Sequence, residues 1–247
     1  MSVALADRQP PGAALRLVRE ATLSEGPLFS SSAGLAAGRR LGMSGDAAYK
    51  ALSLAAHTGV AIRLKGGLYR SAPPFGPAHV HEFLVATALV RPSVISGASA
   101  LSHWGLIDQT PFRIVTASTP KSVVPPMSRG SLTKQHGPGR HGWMVEGVTY
   151  IYRRIPEDEM FGFSDVWLDT ETRVPMFDRE RTVLDAFLHP RTEGGGNLAA
   201  ALADEQAHEL DLDQLVAYAE ASGRPSVIAR VTTVIRGAPI GVDDANL

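Results

Sequence analysis

The 247-residue chain contains no cysteine, which removes thiol catalysis, disulfides and thiolate zinc sites together and fits a reducing compartment. It has no apolar run approaching the roughly 20 residues that a membrane helix needs. The first residues lack the basic, apolar, small-residue order of a secretory signal. A cytosolic protein with no membrane partner is therefore expected. No lysine occurs from position 156 onward, so the acidic back half lacks the lysine that commonly accompanies clustered acids in a metal-dependent nuclease. The glycine run 194–196 is not followed by the Lys and Ser or Thr of a phosphate loop, and reads as a connector between helices.

The charges present are unevenly placed. The formal net charge is −1, yet residues 1–155 carry 17 Lys or Arg against 7 Asp or Glu, and residues 156–247 carry 7 against 18. A basic front half with an acidic back half is the asymmetry expected when one end meets a polyanion. The acidic half is either the docking surface for a basic partner or a solvated helical face. With 44% hydrophobic residues, the chain has enough apolar content for a good core and for two domains.

Residues 31–72 concentrate the functional signal. On a helical wheel of about 100° per residue, Asp46, Tyr49, Lys50, Ser53 and His57 fall in one narrow arc, and small apolar residues fill the rest. Ser44 is placed to cap this helix and Gly59 to stop it. Upstream, Leu35, Ala36, Ala37 and Leu41 give a short helix its apolar side, and Gly42 gives the turn. Downstream, AIRLK and LYRSA are alternating strands split by Gly66 and Gly67, a hairpin signal, and the reading exposes Arg63, Lys65 and Arg70 on that hairpin. Six cations face one acid between residues 31 and 76. Helix, turn, helix and basic hairpin is the layout of a winged helix-turn-helix, in which phosphate contacts set register and the second helix reads base edges. The candidate DNA-binding residues are Arg39, Arg40, Ser44, Asp46, Tyr49, Lys50, Ser53, Arg63, Lys65 and Arg70. An ordinary packing unit with a solvated polar face is the competing reading of the same segment.

The predicted architecture is α+β: an N-terminal winged helix over residues 1–76, preceded by a helix at 13–23, and a mixed α/β domain with a helical C-terminus over residues 77–247. Pro73, Pro74, Gly76 and Pro77 form the expected hinge. Helices are predicted at 81–90, 97–104, 179–188, 198–207, 212–222 and 226–235. FRIVTAS, WMVEGVTYIYR and TRVPMF read as strands, and residues 121–141 as a long basic loop.

The motifs ISGASALSHWGL (95–106) and MFDRERTVLDAF (176–187), together with RLKGGLYR (63–70), resemble the AbiEi family of antitoxin transcriptional regulators of type IV toxin–antitoxin and abortive-infection systems. The resemblance spans residues 28–235. It implies a repressor that binds repeats in its own promoter on double-stranded DNA, and a C-terminal domain that opposes a nucleotidyltransferase-like toxin, with direct contact not required. The carry-over of residues is limited to Tyr49, Lys50 and Ser53, with the hairpin around Lys65 and Arg70.

Read by themselves, the two later motifs look structural. Ser96 is placed to cap a helix, and Ser99 and His103 share a face at i and i+4, but no third member or oxyanion hole completes a nucleophilic site. Arg181 and Asp185 have the spacing of a helical ion pair. His79, His81 and Glu82 are too few for a convincing metal site, and Glu157, Asp158 and Glu159 read as a solvated helix start. The expectation is a non-enzymatic protein with no catalytic residue, cofactor or metal. A ligand-sensing winged-helix regulator and a DNA-directed nuclease are the alternatives.

Overall fold

The computed structural model describes residues 12–107, 113–123, 140–189 and 209–236. The described residues form a mixed α+β structure with eight helices and two sheets. The chain separates into two compact units, Met1–His81 and Glu82–Leu247; the sequence reading put the boundary at 76/77.

In the first unit, helix α1 (Gly12–Glu25) is followed by strand β1 (Leu28–Ser30), helices α2 (Ser31–Arg40) and α3 (Gly45–His57), and strands β2 (Ala61–Lys65) and β3 (Leu68–Ser71). The strands form an antiparallel sheet in the order β1-β3-β2. Gly67 takes φ +79° in the tight turn between β2 and β3, a left-handed conformation that a side chain would strain. Leu17 and Val18 of α1, Ala37 of α2, and Ala48, Leu52 and Ala55 of α3 bury one core with Phe29 and Tyr69. Small residues let the helices approach closely: a Cβ at Gly38 would lie 2.4 Å from that of Ala48. The hydroxyls of Ser30 and Ser44 cap α2 and α3 by accepting the amides of Ala33 and Ala47, each cap contributing about 1 kcal/mol.

The second unit holds α4 (Glu82–Leu89), β4 (Val94–Ile95), α5 (Gly97–His103), β5 (Ile114–Thr119), β6 (Arg140–Val145), β7 (Val148–Arg154), a 3₁₀ turn at Glu157–Glu159, β8 (Phe163–Trp167), β9 (Arg173–Phe177), α6 (Arg179–Leu188), α7 (Leu212–Ala221) and α8 (Pro225–Ile235). Its six strands run in the order β6-β7-β5-β4-β9-β8, with β4–β9 and β5–β7 parallel and the other pairs antiparallel. The expected strand WMVEGVTYIYR is two strands that turn at Glu146 and Gly147, and β6 begins at Arg140 inside the segment read as a loop. The helix expected at 198–207 and the glycine run 194–196 lie outside the described residues.

The motifs at 95–106 and 176–187 meet in space. Ile95 and Met176 are register partners in the parallel β4–β9 pair, the Trp104 indole donates to the Phe177 carbonyl at 2.8 Å, and Leu101, Leu106, Val183, Leu184 and Phe187 share one core with α7 and α8. Ser96 stands at the N-cap position of α5 without a capping bond. Its hydroxyl is 2.8 Å from that of Ser118 instead, because β4 runs beside β5 at this point.

Candidate nucleic-acid interface

Helix α3 divides into two faces as its periodicity requires. Ala48, Ala51, Leu52 and Ala55 are buried, and Asp46, Tyr49, Lys50, Ser53 and His57 are exposed. Tyr49 stands 64% exposed, high for an aromatic ring with no packing role. The stripe runs down to the hairpin, where Arg63 is also exposed. The Arg63 Nε donates to the Lys65 carbonyl at 3.4 Å, which holds the guanidinium over the turn. Ser31, Tyr49, Ser53, Ala56, Arg63, Gly67 and Tyr69 line a solvent-open cleft of about 250 Å³ between α3 and the hairpin. Tyr69 is fixed in the cleft wall by stacking on Phe29 at 5.9 Å.

The structure divides the remaining candidates. Arg39 is exposed at the end of α2, and Ser44 is exposed while capping α3. Arg40 is exposed but turned toward α1, donating to Glu20 at 2.7 Å and to Ser24 at 2.8 Å. Lys65 is partly exposed. Arg70 is corrected: the hairpin does not expose it. It is 6% exposed and donates to the carbonyls of Ser71 and Pro77 at 3.3 and 3.2 Å. The reason is topological. Strand β3 is the middle strand of its sheet, and all four of its residues are buried; alternation in the sequence of β3 exposes a residue only if one face of the strand is open.

The second unit carries a buried charge cluster that contains the helical ion pair expected of Arg181 and Asp185. Arg181, fully buried, donates to Asp185 at 3.0 Å and to the Glu159 carbonyl at 3.2 Å. Its guanidinium lies over the rings of Phe177 and Phe161 at 4.4 and 4.9 Å. Arg153 of β7 pairs with the other oxygen of Asp185 and donates to the Ser118 hydroxyl at 3.1 Å. Burial alone would raise the Asp185 carboxyl, but the charges of Arg153 and Arg181 prevail and hold it at about 2. Burial, with Arg153 beside it, pushes the His189 imidazole down to about 4. Only the i, i+4 spacing of Arg181 and Asp185 was visible in sequence. The residue that completes the cluster is 28 positions before Arg181, on a strand.

The other singled-out groups have structural partners. The Ser99 hydroxyl accepts the Thr116 amide at 2.9 Å, and the His103 ring contacts those of Phe83 and Trp104. Glu159 is tied to Arg224 at 2.6 Å, and Asp178 caps α6 and accepts the Tyr218 hydroxyl at 2.7 Å. Among the described residues, no group of three or more His, Asp or Glu is placed to hold a metal, and no helix is long and apolar enough to cross a membrane.

No family model and no curated protein matches the chain. Among solved structures, it is similar to the crystal structure of the RV2827C protein from Mycobacterium tuberculosis, with a TM-score of 0.59 and 17% identity over 98% of this chain and 86% of that one. At that identity the similarity shows a shared fold.

Proposed function

We propose that the first unit is a winged helix-turn-helix that binds double-stranded DNA sequence-specifically, and that the chain is a non-enzymatic transcriptional repressor. In this reading α2 and α3 are the helix-turn-helix, with α3 entering the major groove and the β2–β3 hairpin serving as the wing. The observation that carries it is the continuous exposed stripe Asp46, Tyr49, Lys50, Ser53 and His57, ending at Arg63 on the hairpin. Lys50 and Tyr49 are suited to base edges, Arg63 and Lys65 to phosphates. The charge of the unit agrees: Met1–His81 has nine Lys or Arg against four Asp or Glu. Arg70 has no part in the interface, because its guanidinium is spent on backbone carbonyls.

The AbiEi resemblance extends the proposal to an antitoxin that represses its own operon and opposes a nucleotidyltransferase-like toxin, with the antitoxic activity in the second unit. Of the three motifs that carry the resemblance, the two in the second unit form one packed seam between β4, α5, β9 and α6, so they account for the fold of that unit, and the antitoxic determinant is to be sought on its surface.

The test is an electrophoretic mobility shift on the DNA upstream of the chain's own gene, against scrambled DNA, at about 0.15 M salt. Specific retardation is expected for the wild type. The double variant Tyr49→Ala, Lys50→Ala should lose it while melting at the wild-type temperature, since both side chains are exposed. Normal promoter binding by that variant would remove α3 as the reading element.

A further inference from the structure

Strand β8 is the last strand of the six-stranded sheet among the described residues. Its sequence, FSDVW, has no covered face: Phe163, Ser164, Asp165 and Trp167 are exposed, and Val166 is partly so. The exposure of Phe163 is 44% and of Trp167 59%. Side chains alternate along a strand, so Phe163, Asp165 and Trp167 project on one face. They do so opposite Phe177, Pro175 and Arg173 of β9. Arg173 organises this face: its guanidinium lies 5.5 Å over the Trp167 ring, and its Nε is 3.7 Å from an Asp165 oxygen.

The hydrogen-bond phase of the hairpin fixes which backbone groups look outward. The Gly162 carbonyl accepts from the Asp178 amide, and the Leu168 amide donates to the Thr172 carbonyl. Even-numbered positions therefore face β9, and alternation turns the amides and carbonyls of Phe163, Asp165 and Trp167 away from the sheet. The edge thus offers a backbone ladder and, at the same three residues, an apolar, acidic, apolar row of side chains. The hairpin is also acidic, with Asp165, Asp169 and Glu171 against Arg173 between positions 163 and 177.

We infer that the β8 edge is a docking site for a protein partner that adds an extended strand bearing a basic side chain flanked, two positions away on each side, by apolar ones. Main-chain bonds to Phe163, Asp165 and Trp167 supply the pairing, and the side-chain row supplies selectivity. A second copy of this chain is disfavoured by the same row. Symmetric antiparallel pairing about the middle of β8 would place Asp165 against Asp165, and like charges directly opposite destabilise a strand pair. A cation at that position relieves the penalty and joins Arg173 in a shared arrangement around the carboxylate. The inference stands whether or not the first unit binds DNA.

The test uses the full-length chain and fluorescein-labelled peptides followed by anisotropy. The peptide TVTKTVT presents valine, lysine and valine on one face; TVTETVT reverses the central charge; a third has the lysine nitrogen of the main chain methylated. Binding of the first is expected, with the glutamate peptide weaker by at least about fivefold and the methylated one not bound. Asp165→Lys, at a side chain 53% exposed, should invert the preference between the first two peptides without changing the melting temperature. Equal binding of the lysine and glutamate peptides, retention of the methylated peptide, or no binding of any would overturn the proposal. So would a dimer in sedimentation that Trp167→Glu dissociates, which would make a second copy the occupant.

Discussion

His189 and Asp185 close the last turn of α6 within one charge cluster, with Arg153, Arg181 and Arg224 acting on the imidazole. Both groups titrate lower in the folded chain than free in solution, so both bind fewer protons when folded, and stability rises with pH wherever that difference operates. For His189 the contribution is complete above 6.5 and is lost as pH falls toward about 4; for Asp185 it is lost only between 3.8 and about 2. The urea midpoint should therefore decline from pH 7 to about 4.5, and His189→Gln should flatten that slope while leaving the midpoint's behaviour above pH 7 unchanged. An identical slope in the variant would place the acid sensitivity elsewhere. At this scale the sequence was informative where a residue's environment is set by its own helix. The exposure of Tyr49, Lys50 and Ser53 followed from a 100° rotation per residue, and the cap at Ser44 from hydroxyl chemistry at a helix start. It was uninformative where other elements decide: Arg70 is buried because β3 lies in the middle of its sheet, and Arg181 because the rings of Phe161 and Phe177 and the Glu159 carbonyl enclose it.

Between elements, the close approach of α2 and α3 depends on Gly38, whose missing side chain leaves room for Ala48. Alanine is the better helix former by about 1 kcal/mol, so Gly38→Ala would stabilise an isolated α2. In the protein its methyl would meet the Ala48 side chain at 2.4 Å, too close without moving one helix, and overpacking of that kind costs roughly 1–3 kcal/mol. The expected net result is a lower denaturation midpoint together with weaker promoter binding, since α3 is the element displaced. A midpoint above wild type would show that the helices part easily and that the geometry of α3 tolerates it. Long elements with one buried face, such as α1 and α3, were legible because their periodicity records which side is covered. Strands β1 and β4, of three and two residues, are too short to carry a period, and exist because a neighbouring strand supplies their partners. Strand β8 was missed for a different reason: it has no buried face, so there is no apolar alternation to read, and the same exposure makes its edge a candidate docking surface.

Across the whole chain, charge follows the division into units: nine cations against four acids in Met1–His81, and fifteen against twenty-one in Glu82–Leu247. The polarity was visible in the sequence because it needs only counting, whereas the six-strand order of the second sheet depends on long-range pairings that local patterns do not encode. The polarity has a consequence for DNA. An acidic unit tethered to a basic one lowers the local potential that draws in phosphates, and this cost falls on specific and random DNA alike because it is electrostatic. The fragment Met1–His81, whose core residues from Ala14 to Phe75 all lie within it, should fold alone, as a cooperative melt would verify. It should bind scrambled DNA more tightly than the full chain at about 0.05 M salt, with the gap closing at about 0.2 M, while the promoter preference that the proposed function assigns to α3 persists. On the proposed antitoxin function, it should fail to protect cells that express the toxin which that proposal pairs with this chain. Titrations of both proteins at the two salt concentrations, paired with a growth assay, separate these outcomes. Protection by the fragment would assign antitoxicity to the first unit, and equal non-specific affinity at low salt would mean that the acids of the second unit act on some other partner than DNA.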